Sequence, residues 1–70
     1  MIELSEIAAL AELYDRYANA IERLSSERLQ ARRHFFARLE MLYERESAGL
    51  DYESFRFEMV RRCKEYLRKN

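Results

Sequence analysis

Apolar residues recur in three stripes along nearly the whole chain, the first at alternating spacings of three and four, and that period is compatible with one kind of secondary structure. Ile7, Leu10, Tyr14, Tyr17, Ile21 and Leu24 form a first stripe. Leu29, Phe35, Phe36, Leu39, Leu42 and Tyr43 form a second. Tyr52, Phe55, Met59, Cys63 and Tyr66, flanked by Val60 and Leu67, form a third. Each places its apolar side chains on one side of a helix with 3.6 residues per turn. The breakers that would interrupt such helices are nearly missing. The 70 residues include no proline and a single glycine, Gly49. One valine and no threonine leave little to favour strands, while Ala, Leu, Glu and Arg abound. The expectation is an all-α fold, a single helical domain over residues 1–70 with helices at about 5–24, 27–47 and 51–68.

The boundaries differ in how clearly they are written. Ser5 suits an N-cap, with Glu6 placed for the positive end of the helix dipole. Ser47-Ala48-Gly49-Leu50-Asp51 reads as a helix end, a glycine C′ position, a hydrophobic contact residue and a new N-cap. Lys64, Arg68 and Lys69 suit the negative terminus of the third helix. Between the first two stripes the signal is ambiguous. At Ser25-Ser26 the stripe turns polar with no Gly, Pro, Asn or Asp to make a turn. Either the chain reverses near residues 24–28, with Ser25 or Ser26 capping a new helix, or one helix of about 40 residues runs on and packs in a dimer. The architecture is then a three-helix bundle, or a helical hairpin whose third helix is completed by dimerisation.

Formal charge sums to zero, but the charges are banded. Residues 1–27 carry six acids and two arginines, net −4; residues 28–39 carry Arg28, Arg32, Arg33 and Arg38 alone, net +4. Residues 40–58 carry six acids against Arg45 and Arg56, net −4; residues 59–70 carry five bases against Glu65, net +4. In an up-down-up bundle these bands make an acidic pole and a basic pole, the latter holding Arg23, Arg28, Arg32, Arg33, Arg61, Arg62, Arg68 and Lys69. Such a field steers association.

Chemistry is sparse. His34 is the only histidine and, by phase, projects away from the second stripe, whereas Cys63 lies within the third, so the two are not expected to meet. Ala31 and Ala37 stand where a Glu-x-x-His metal pair needs glutamates. One cysteine and one histidine exclude a closed zinc site within one chain, and one glycine excludes a phosphate-cradling loop. The Glu40/Glu44 and Glu3/Glu6 pairs fall on exposed faces with no histidine beside them. The expectation is no catalytic residue, no metal, no cofactor and no small-molecule substrate: a binding protein rather than an enzyme. The solitary cysteine suits a reducing cytoplasm. The N-terminal residues lack the basic start and apolar run of a signal peptide, and no segment is long and apolar enough to span a membrane.

Two features remain after the stripes are assigned. Phe57 and Met41 point away from their stripes and Leu13 flanks the first, so Leu13, Met41 and Phe57, with Arg56, are the candidate contacts with a partner protein or a second copy. The phrase Gly49-Leu50-Asp51-Tyr52-Glu53-Ser54-Phe55, with Met59 and Val60 beyond, resembles the turn and second helix of a helix-turn-helix over about 15 residues. That resemblance implies a nucleic-acid contact, with Arg28, Arg32, Arg33, Arg38, Arg61 and Arg62 as the phosphate-facing arginines. Asp51, Glu53 and Glu58 depart from the pattern, since they would repel phosphate at the start of the reading helix. The same phrase also suits any tight corner between two helices. The leading expectation is a self-associating protein-interaction module; nucleic-acid binding is the alternative.

Overall fold

A computed structural model describes residues 1–19, 24–47 and 49–69. It contains three helices: α1 (Leu4–Ala18), α2 (Ser25–Glu46) and α3 (Tyr52–Lys69). The chain therefore reverses between the first two stripes, and the single long helix is not formed. Ile7, Leu10 and Ala11 of α1, Phe35, Leu39 and Leu42 of α2, and Phe55, Met59 and Cys63 of α3 close into one buried core. α1 is the hub. It packs on both other helices, whereas α2 and α3 share few contacts. The third helix thus completes the core within one chain, and the fold is a three-helix bundle.

Three helix boundaries differ from expectation. The N-cap of α1 is Glu3, not Ser5. The Glu3 backbone N–H donates to Glu6 Oε1 at 3.0 Å, and the Glu3 side chain accepts from the Glu6 backbone in return. A reciprocal capping box therefore satisfies two amides that a lone serine would have served singly. At its other end α1 stops at Ala18, with Asn19 as C-cap, rather than running to residue 24. Ile21 of the first stripe lies outside the described residues. Leu24 continues the helical period only by coincidence: it is the N-cap of α2 and 68% exposed. Neither Ser25 nor Ser26 caps that helix, because both already lie in its first turn.

What holds the α1–α2 reversal is packing farther along the two helices. Tyr17 stacks against Phe35 and Phe36 with ring centroids 5.3 and 6.1 Å apart, and Tyr14 lies 5.7 Å from Phe35. Burial raises the pKa of both tyrosines. The opposite corner is built from local chemistry. Gly49 adopts φ +84°, a left-handed conformation that costs a side-chain-bearing residue energy. It falls two residues beyond the C-cap Ser47. The Leu50 amide donates to Ser47 O at 3.0 Å, and Asp51 Oδ1 accepts from the Ser54 amide at 2.7 Å as the cap of α3. Edge-on contacts of Tyr43 with Tyr52 and Phe55, both at 5.4 Å, then fasten α3 to α2.

Candidate interaction surfaces

The core uses the apolar stripes almost completely, so the side chains left outside it define the surfaces available for binding. Phe57 is 75% exposed and Met41 65% exposed, on the outward faces of α3 and α2. Both arise from helical phase: Phe57 is two positions from each of the buried Phe55 and Met59, and Met41 is adjacent to the buried Leu42. Leu29, assigned by its spacing to the second stripe, is also exposed, because only Ala31 is buried in the first turns of α2. Leu13 behaves differently from Met41 and Phe57. It packs half-buried against the core and lines a shallow groove between α1 and α2 with Arg16, Gln30 and His34. Arg56 is half-buried and ion-paired to Glu53 on its own helix at 2.9 Å.

The arginines fall into two groups. On α3, Arg61 bridges Glu58 at 2.5 Å and Glu65 at 2.8 Å, so its charge is balanced locally. Arg62 and Lys69 lie with Leu4 and Ile7, beside the start of α1. The single basic pole is therefore not assembled. α3 crosses α1 so that its C-terminal bases sit near the N-terminal end of α1, away from Arg28, Arg32 and Arg33. Arg23 lies outside the described residues. On α2, by contrast, Arg28, Arg33 and Arg38 are exposed and have no ion pair among the described residues. Arg32 lays its guanidinium over the Phe36 ring, 5.2 Å from the centroid.

The acidic ends do meet. Arg45 of α2 donates to Glu6 of α1 at 2.6 Å and to Glu46 at 2.7 Å, and the Met1 ammonium also pairs with Glu46. Glu6, held by the Glu3 amide and Arg45, and Glu46, held by the terminal ammonium and Arg45, both have lowered pKa values. Glu6 is consequently half-buried and engaged rather than freely solvated.

The helix-turn-helix-like corner is occupied by its own capping. Asp51 is committed to Ser54, and the one arginine placed to reach a base, Arg56, is committed to Glu53. Cys63 is fully buried, and desolvation pushes its thiol pKa up to about 11, which removes the thiolate a nucleophile needs. His34 is exposed on α2, away from that core position. Among the described residues no cluster of His, Cys, Asp or Glu is placed to hold a metal ion, and no helix is long and apolar enough to cross a membrane. No protein-family model, curated protein or solved structure matches the chain.

Proposed function

We propose that the chain is a small helical interaction module that associates with itself and docks on a partner protein to modulate it. Helix packing is its whole mechanism, with no chemical step. The observation that carries this reading is the outward placement of Phe57 and Met41 on a domain whose core is already closed without them. Large apolar side chains on outer helix faces add nothing to folding and are the residue types that protein interfaces favour. The buried, unpaired Cys63 suits a reducing compartment such as the cytoplasm.

A second reading rests on a separate observation, the exposed arginines of α2 with Arg32 stacked on Phe36. Arginines interleaved with aromatic rings are what nucleic-acid backbones and bases contact. The neutral net charge and the acids around the α2–α3 corner oppose it. A gel-shift titration at physiological salt, about 0.15 M, separates the two. The interaction reading expects only weak, sequence-independent binding to DNA or RNA there, with the fold of an Arg32→Glu, Arg33→Glu variant intact. Tight, sequence-selective binding abolished by that double change would put the nucleic-acid reading first.

A further inference from the structure

The outer face of α2, opposite its buried stripe, is formed by Gln30, Arg33, Ala37, Glu40, Met41 and Glu44, all exposed and spaced by threes and fours. Its charges are arranged unlike those elsewhere in the molecule. On α1 and α3 acids and bases alternate at i,i+3 and i,i+4, so they pair within their own helix: Glu12 with Arg16, Glu53 with Arg56, and Arg61 with Glu58 and Glu65. On the outer face of α2 they are segregated. Arg33 has Leu29, Gln30, Phe36 and Ala37 at its helical neighbour positions and so meets no acid. Glu40 and Glu44 neighbour one another at i,i+4, an arrangement that destabilises a helix when uncompensated. None of the three makes a hydrogen bond or ion pair among the described residues.

We infer that α2 packs antiparallel on α2 of a second copy, about a two-fold axis passing beside Ala37, with Arg33 of each chain on Glu40 of the other. The inference rests on the interaction reading above and names the surface and the occupant for its self-association. Arg33 and Glu40 are seven positions apart, about 10.5 Å at 1.5 Å per residue, too far to pair on one helix. A two-fold axis midway between them superposes each on the other, so one unsatisfied charge pattern satisfies itself twice. The same operation brings Gln30 to within one residue of Glu44, where an amide donor meets a carboxylate, and keeps Met41 on the flank of the contact. Ala37, the smallest side chain of the face, falls where the two helices approach most closely. In a parallel pairing like charges would face each other, so the pattern selects the antiparallel register. The contact is small, so the dimer is a weak one, in the micromolar range or above.

Sedimentation equilibrium of the full chain and three variants tests this, with far-UV circular dichroism confirming equal helicity. Arg33→Glu alone and Glu40→Arg alone should each weaken dimerisation by about tenfold or more, because each creates two like-charge contacts. The double variant carrying both changes should dimerise as the unchanged chain does. Mixing the two single variants should give a heterodimer tighter than either homodimer, since the two acids of one chain then face the two bases of the other. If the unchanged chain dimerises and the single changes leave it dimeric, the α2 pairing is wrong while the interaction reading stands. Single changes without rescue in the double variant also overturn the pairing. A chain that remains monomeric at every concentration overturns both the pairing and self-association.

Discussion

The two corners of this bundle are built on opposite principles. Between α2 and α3 the turn is specified residue by residue: Gly49 at φ +84°, the Leu50 amide on Ser47 O, and Asp51 on the Ser54 amide. Between α1 and α2 the local bonds among the described residues close only the end of α1, where the Asn19 amide donates to Asp15 O and its side-chain amide to Asp15 Oδ1, both at 3.0 Å. α2 begins behind Leu24, which has no side-chain group to offer the first amides. That reversal is held instead by the Tyr14, Tyr17, Phe35 and Phe36 rings. Burial along the two helices therefore supplies what the uncapped start of α2 lacks.

If that contrast is right, the α1–α2 corner must fail when its packing fails. Phe35 is fully buried and touches three other rings, so Phe35→Ala should cost about 3–5 kcal/mol. A domain of this size has about 4–10 kcal/mol in all, so chemical denaturation should find the variant largely unfolded or close to it. A loss below about 1 kcal/mol would mean that the rings do not hold the corner.

Smaller, opposite effects are expected from the caps themselves. Asp51→Ala removes a working cap and should lower Tm by about 5 °C, whereas Leu24→Asp supplies a missing one and should raise it by up to a similar amount. The first of these depends on pH. Hydrogen bonds from the Ser54 amide, then from its hydroxyl, hold the Asp51 carboxyl below its ordinary pKa. Its contribution is therefore present above the unfolded value, near 4, and is lost as pH falls through the folded one. The Tm gap between the unchanged chain and Asp51→Ala should close under acid and stay constant from about pH 5 to 8. Equal responses at the two corners would erase the distinction between them.

The same contrast explains what was legible in the sequence. Helical class, the third stripe and the Gly49–Asp51 corner were readable because period and turn chemistry are local properties. The end of α1 was not, since Ile21 and Leu24 prolong the apolar period past the point where the helix stops. The exposure of Phe57 and Met41 followed from phase alone. The charge layout did not, because it depends on how α3 crosses α1: Arg62 and Lys69 sit beside Leu4 and Ile7, where a parallel-sided bundle would not put them. The Arg45–Glu6 pair, 39 positions apart, likewise exists only in three dimensions.

The most direct test of the whole account is sedimentation equilibrium of a Met41→Ser, Phe57→Ser double variant beside the unchanged chain. Neither side chain belongs to the core, so both proteins should show the same helicity. The unchanged chain should rise above its monomer mass of 8.6 kDa as concentration increases, while the variant should remain near it. Equal masses for the two proteins at every concentration, or a variant that has lost its helices, would contradict the claim that these outer faces bind rather than fold.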